Sequence, residues 1–589
     1  MSYNHSVVRD AQLLDRSLVH MAPAAALLGL ARTVFGGGAL DIAAVGASVA
    51  QAGGCLTQPA KRCMEYRGLD RIPNPVPPNK GLVRIKGFLV RFLDALNSTW
   101  PSPHHHLFNG AADATPAELL AECLFSHIPR QAHVVVLEFG SMAKSTTPSA
   151  VEAIVRALLD VPSPPAIVFL SVREWAHRRN LANLTLWGQH ERTAWQTTES
   201  YLLRLCVHYG VSCLSYFEAL APLLYSHPPL LTLADVAADG LHPSTGRLGV
   251  DLLSEILMHW FHSALASVLA SGLLSGGQLQ AELAQEQPAG HRAVAATLSL
   301  GASAAAAPMA PPPRERLPAP LFRVPAGLED AGHRRCYGFG RLGGKGRFGA
   351  YQRMAPIPWR TASCKDSATP LEQCSHVDAE PHCPRTLPAA LLPATFVYCY
   401  HAFNSRGLPG KRSPGALALA AHATIELPLD TRLDAAAGTG GGAPSAATAV
   451  RVTLGYLTSY AGGMGRAQVS CHRGCTCALS TIDGHRVDAD RNVSVFVPHQ
   501  LQVHGAAASC VVRVRVLEQS STLGHKFKLS TVNVASAADR RRGHIGPVGD
   551  DKEDEQVAGG ASVGRNVERR PGKARGGRRE RSFGVADAL

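Results

Sequence analysis

The order of apolar and polar positions changes character twice along the chain. Up to about residue 265, short unbroken apolar runs alternate with stretches of helical period. Asp41 to Val45, His133 to Phe139 (HVVVLEF), Ala166 to Val172 (AIVFLSV) and Val211 to Leu214 are too short for buried helices and read as strands covered on both faces. Between the second and third lies TPSAVEAIVRALLDV. There Val151, Ile154, Val155, Leu158 and Leu159 recur at helical spacing, with Thr147 placed as N-cap and Pro148 at the first helical position. A further helix is predicted from about Glu191 to His208, stopped by Gly210. The apolar stretches Met21 to Ala31 and Ile256 to Leu274 read as helices packed on this sheet rather than as a signal segment or a membrane span. Repeated strand–helix–strand units predict a three-layer α/β/α domain around a parallel sheet, over residues 25–265, preceded by an N-terminal extension at 1–24.

From 266 to 334 the chain turns to Ala, Pro, Gly and Ser, as in GASAAAAPMAPPPRERLPAP, and reads as a linker. Beyond it the period drops to two. Ala394 to Phe403, Ala449 to Tyr460, Val493 to Val503, Ser509 to Leu517 and His525 to Val534 are short β runs, with plain alternation in Val512-Arg513-Val514-Arg515-Val516. Residues 335–535 are therefore expected to form an all-β, sandwich-like domain. The last segment, 536–589, mixes RRR, DDKEDE and RRPGKARGGRRER and is expected to be a disordered charged tail.

Composition refines this picture in two ways. A formal charge of +13 on 589 residues could attract anions, but apart from Arg540-Arg541-Arg542 and the run from Arg565 to Arg581 the charges are scattered. No nucleic-acid partner is expected from such a distribution. Nine of the fourteen cysteines fall between Cys336 and Cys510, a density that suits disulfides and an oxidising compartment. Sequons at Asn4, Asn97, Asn183 and Asn492 point the same way, toward the secretory pathway. In Cys471-x3-Cys475-x-Cys477 the spacing favours disulfides over zinc. Nine is odd, so one cysteine of the β domain must be free or pair elsewhere.

The chemistry is suggested by DGLHPSTG, Asp239 to Gly246, in which an aspartate precedes a histidine by three residues just before the final helix. A histidine acting as general base needs a nucleophile. In an open α/β sheet the place to look is the carboxyl end of a strand. The first strand ends in Gly46-Ala47-Ser48, where small residues let the chain turn sharply and expose a hydroxyl. This order, serine after the first strand and Asp-x-x-His before the last helix, resembles the SGNH (GDSL-type) hydrolases. It is similar in particular to the SGNH hydrolase-type esterases of green algae and plants that carry a C-terminal Cys-containing β module. The segments FNGAADATP, VVVLEFGSMA, LGYLTSYAGGMGRAQVSCHRGCTC, TIDGH and VRVLEQSSTLGHKFKLSTV carry that likeness, over about 25–265 and 445–535.

The resemblance implies Ser48 as nucleophile, His242 as base and Asp239 as its orienting partner, with the Ser48 and Gly110 amides as oxyanion hole. It implies no metal and no cofactor. The expected substrate is a carboxylic ester, with an O-acyl group on a carbohydrate as the specific form. The chain departs from the family where a third oxyanion donor, an asparagine, is expected: that position is Met142, and a thioether donates no hydrogen bond. Ser141, Lys144 and Asn109 are candidates to replace it. The alternative reading is a catalytically inactive homologue acting as a carbohydrate-binding or interaction protein. Two further signals are set aside. Gly338 to Gly343 matches a dinucleotide fingerprint without a following helix, and His104-His105-His106 reads as a solvated loop.

Overall fold

The computed structural model describes residues 11–51, 56–58, 61–62, 87–112, 114–142, 145–173, 189–224, 233–237, 241–244, 247–274, 317–322, 334–338, 355–356, 360–361, 396–403, 409–433, 449–460, 463–486, 494–505 and 507–536. The charged tail and most of the expected linker lie outside them.

The first domain is built on a six-stranded sheet. Its strands are β1 (Leu18–His20), β2 (Asp41–Gly46), β3 (His106–Asn109), β4 (Val134–Glu138), β5 (Ala166–Ser171) and β6 (Ser212–Ser215), in the spatial order β1-β6-β5-β4-β2-β3. All neighbours pair parallel except β1, which runs antiparallel to β6. Residues 11–20, expected in the N-terminal extension, thus supply a helix (Ala11–Ser17) and an edge strand of this sheet.

Period-two alternation sorts the strand residues into two cores. Ile42, Ala44, Val134, Val136, Val168 and Leu170 face the helices α1 (Ala24–Phe35), α2 (Phe88–Thr99) and α5 (Leu252–Ala270). Ala43, Val45, Val135, Leu137, Ile167 and Phe169 face α3 (Pro148–Leu159) and α4 (Gln189–Tyr209). Strands covered on both sides carry no polar face, which is why they read as unbroken apolar runs. Helix α5, the apolar candidate for a membrane span, is instead largely buried against α1 and α2, with Trp260 and Phe261 fully enclosed. The turn after α4 uses Gly210 at φ +61°, and a Cys206–Cys213 disulfide ties that helix to β6.

Residues 317–322, expected in the linker, are docked on this domain. The buried Glu152 accepts hydrogen bonds from the Tyr209 hydroxyl (2.5 Å) and from the Leu321 and Phe322 amides, while Arg156 donates to the Pro318 carbonyl (2.7 Å). The Phe322 ring meets Tyr201 edge-on.

The second domain is a β-sandwich. One sheet contains Arg334–Gly338, Phe527–Ser536, Ala449–Thr458, Val495–His504 and Thr476–Cys477 in that order, with Pro409–Ala418 also pairing with Phe527–Ser536. The other contains Thr424–Leu429, Cys510–Val516, Arg466–Arg473 and Ser480–Asp483. Val450, Val452, Leu454, Leu529, Val532 and Val534 of the first sheet interdigitate with Ile425, Leu427, Val469, Val512, Val514 and Val516 of the second. The expected cysteine cluster forms two disulfides, Cys471–Cys477 and Cys475–Cys510. The sulfurs of Cys471, Cys475 and Cys510 lie within 4.8 Å of one another, but sulfurs joined in disulfides are not thiolate ligands.

The two domains are fastened to each other. Cys336 of the sandwich pairs with Cys123 of the α/β domain, so one cysteine of the module has its partner outside it. Beside it the buried Glu122 carboxylate accepts hydrogen bonds from Thr453 Oγ1 and Asn533 Nδ2, both at 3.0 Å, and faces the Arg451 guanidinium at 3.6 Å. Arg334 donates to the Ala121 and Glu122 carbonyls.

Candidate active site

The chain order reverses direction at β2. The connection to β3 leads to one side of it, and β4, β5 and β6 are then laid down on the other. Such a switch leaves a crevice at the carboxyl end of the strand, and Ser48 stands there. Gly46 is required by the approach of β4: a Cβ on it would lie 2.3 Å from the Glu138 carbonyl oxygen. The turn that follows is closed by the Gln51 amide donating to the Ala47 carbonyl (2.9 Å).

His242 reaches Ser48 from the far end of the domain. Its segment is pinned by a bridge between Ala237 and Pro243 and by the Ser244 amide donating to the Val236 carbonyl (2.8 Å). Gly249 lets the chain fold back on Ser244, since a side chain there would collide with the Ser244 backbone. The fully buried Tyr216 holds this arch by donating to the Leu248 carbonyl, and burial pushes its phenol well above the ordinary tyrosine range. The result is a hydrogen bond of 2.8 Å between Ser48 Oγ and His242 Nε2, with both residues 6% exposed. A hydroxyl and an imidazole in this relation can pass a proton from one to the other. Asp239 and Lys144 lie outside the described residues.

The expected oxyanion donors are placed differently. The Gly110 N–H donates to the Ala44 carbonyl (2.9 Å), continuing the β2–β3 ladder, so that proton is committed to the sheet and not presented to a ligand. The role expected for Gly110 is corrected on this ground. The Ser48 N–H, among the described residues, donates to no other group. Asn109 donates one Nδ2–H to the Ala50 carbonyl (2.9 Å) and accepts from the Ala111 amide through its Oδ1 (3.1 Å). Ser141 spends its hydroxyl and amide on Glu138 (2.9 and 3.0 Å). Met142 is buried in a small apolar cluster with Ala47 and Val495.

Two residues not singled out from the sequence stand beside the nucleophile turn. Glu138, at the end of β4, is fully buried and accepts hydrogen bonds from Ser141 and from the Ala50 amide. Desolvation outweighs those donors and raises its carboxyl to about 7. Gln51 is 1% exposed, and its Oε1 has no hydrogen-bond partner among the described residues. A carboxylate closing the apolar run HVVVLEF is a visible signal for the first; nothing local marks the second.

The histidine run occupies the opposite edge of the sheet. His105 is buried, accepting from the Leu40 amide through Nδ1 (2.9 Å) and bonding the Trp100 carbonyl through Nε2 (2.9 Å). His106 pairs with Asp41 at the amino end of β2. The expectation of a solvated loop fits the exposed turn at His104 and is corrected for the other two, because His105 is buried and caps Leu40 and His106 starts an edge strand.

The sandwich abuts the same edge as Ser48. The Phe496 amide donates to the carbonyl of Ala114 (2.8 Å), a residue held at φ +54°, and Val495 closes on Ala47 and Met142.

No protein-family model and no curated protein matches the chain. Solved structures do resemble it. SGNH hydrolases and esterases are among its structural neighbours. A two-domain esterase active on acetylated mannans aligns over 89% of this chain and 98% of its own, at 13% identity and a TM-score of 0.44. An SGNH hydrolase from Slackia heliotrinireducens aligns over 38% of this chain and 99% of its own, at 12% identity and a TM-score of 0.24. The C-terminal carbohydrate-binding module of a laminarinase from Zobellia galactanivorans covers 24% of this chain and is covered over 87%, at 11% identity and a TM-score of 0.15.

Proposed function

We propose that the chain is a serine ester hydrolase working through an acyl-enzyme. The observation that carries this reading is the 2.8 Å contact between Ser48 Oγ and His242 Nε2 at the topological switch of a parallel sheet. His242 takes the Ser48 proton as Oγ attacks the ester carbonyl carbon. The tetrahedral intermediate collapses as the same proton passes to the departing alkoxide. Water, deprotonated by His242, then releases the acid. Asp239, three residues before the base, is assigned the orienting role on the imidazole. Neither step calls for a metal or cofactor.

The substrate class is an O-acylated carbohydrate, and the compartment is the secretory pathway or outside the cell. The sandwich supports the first: its strand Val495–His504 stands against Ala47, the residue before the nucleophile, so a long alcohol leaving group has a second domain to lie on. The four disulfides among the described residues support the second.

The test is labelling of the intact protein by a fluorophosphonate probe, with p-nitrophenyl acetate hydrolysis measured beside it. Ser48→Ala should abolish labelling and reduce turnover to background, since loss of such a nucleophile costs on the order of 10⁶ in kcat. Turnover that survives the substitution would remove the assignment. Release of acetate from an acetylated glycan would fix the substrate class.

A further inference from the structure

An acyl transfer of this kind needs hydrogen-bond donors where the carbonyl oxygen becomes an oxyanion. One backbone donor, the Ser48 N–H, is at hand. Among the described residues the neighbouring polar groups are wholly or partly occupied: Gly110 N–H by the Ala44 carbonyl, one Nδ2–H of Asn109 by the Ala50 carbonyl and its Oδ1 by the Ala111 amide, Ser141 by Glu138. Met142 offers no donor.

Gln51 differs from all of these. The bond from its amide to the Ala47 carbonyl spans four residues, so the turn is one coil of helix and residues three apart lie on one side of it. Ser48 and Gln51 are three apart, and side chains on such a turn lean back toward its start. Gln51 therefore stands on the side of the turn that carries the nucleophile. Its carboxamide is enclosed, yet its Oε1 meets no partner among the described residues. A buried amide oxygen left without a donor costs stability, and beside a nucleophile such a carboxamide is a candidate for contact with a bound group.

We propose that the Gln51 carboxamide is the side-chain donor of the oxyanion hole, binding the ester carbonyl oxygen together with the Ser48 N–H. The amide turns about its last torsion to present Nε2 to the oxygen; the two orientations fill the same space. As Ser48 Oγ bonds to the carbonyl carbon, the π electrons move onto that oxygen, and the Nε2–H and backbone N–H hold the charge until the leaving group departs.

This assignment rests on the ester-hydrolase reading, and the experiment separates the two. Gln51→Met and Gln51→Leu, close in volume and unable to donate, are compared with the parent protein on p-nitrophenyl acetate, with thermal unfolding recorded for each. The expected result is a kcat lower by on the order of 10²–10³-fold, KM little changed, and a Tm equal to or above the parent's, because an apolar side chain suits that enclosed site better than an unpaired amide. A kcat within about threefold of the parent in either variant would overturn the assignment. So would a loss of activity that tracks a lowered Tm in both, which is what a structural glutamine gives. If instead Ser48→Ala fails to abolish turnover, it is the hydrolase reading that falls.

Discussion

Glu138 offers the sharpest test of the electrostatics beside the candidate nucleophile. Its carboxyl is fully enclosed at the end of β4 and meets three donors, the Ser141 amide, the Ser141 hydroxyl and the Ala50 amide. Two effects compete there. Donors favour the carboxylate, and desolvation favours the neutral acid. Desolvation prevails, moving the group from 4.5 to about 7. At about 1.4 kcal/mol per pH unit, that difference corresponds to about 3 kcal/mol. Below pH 4.5 the group is protonated in both folded and unfolded chains and contributes no pH dependence. Between 4.5 and 7 the unfolded chain releases the proton while the fold retains it. The fold then binds more protons than the unfolded chain, so stability falls as pH rises, and the loss is complete once the pH has passed 7.

Glu138→Gln keeps the shape and the acceptor oxygen of the neutral acid and removes the ionisation. Its stability should therefore gain on the parent's by about 3 kcal/mol between about pH 4 and pH 9, with the difference opening across the interval from 4.5 to 7. The measurement is urea unfolding followed by tryptophan fluorescence, to which Trp260, enclosed in α5 of the same domain, contributes. Taking the difference between the two proteins cancels other titrating groups, among them Glu199, which burial also raises to about 7. A difference that stays flat across this range would refute the desolvation argument. A difference that narrows with rising pH would show that the three donors win.

Two further substitutions probe the frame around the site. Gly46→Ala forces a methyl to within 2.3 Å of the Glu138 carbonyl oxygen and should cost about 1–3 kcal/mol while separating β2 from β4; calorimetry and fluorophosphonate labelling should fall together. Cys336→Ser opens the link to Cys123 across 213 residues and should cost about 2–5 kcal/mol, measured by denaturant unfolding. Dithiothreitol should then lower the stability of the parent more than that of the variant.

The interior strands were legible because each is apolar on both faces: Asp41–Gly46, Val134–Glu138 and Ala166–Ser171 lie within a residue or two of where the pattern put them. Several of the strands that were missed are short or lie at edges, although Arg466–Arg473 and Pro409–Ala418, each paired on both sides, were missed as well. Leu18–His20 pairs on one side only, and His106–Asn109 begins in a run of Pro, Ser and His that reads as loop while pairing with β2 alone. Thr424–Leu429 carries Pro428 and pairs continuously with Cys510–Val516 on one side, with only residues 425 and 426 meeting a partner on the other. Proline lacks the N–H that a central strand would donate, so it is tolerated where the pairing is one-sided.

The same distinction governs the site. Ser48 and His242 could be found because each motif carries its own local geometry: small residues that end a strand, and a histidine just ahead of a helix. Bringing them within 2.8 Å needs only the chain order of the sheet. Gly110 could not be assigned this way, because whether an N–H faces a ligand or a neighbouring strand is decided by register, and the register gives that proton to Ala44. Gln51 and Glu138 depend on a wider accounting still. Their significance lies in which buried polar atoms remain unsatisfied, or strained toward neutrality, after every other group has taken its partner. That quantity exists only in the assembled fold, since Asn109, Ser141 and Gln51 are equivalent donors on paper. Asn109 bonds to Ala50 and Ala111 and Ser141 to the Glu138 carboxyl, whereas the Gln51 Oε1 is left without a partner among the described residues.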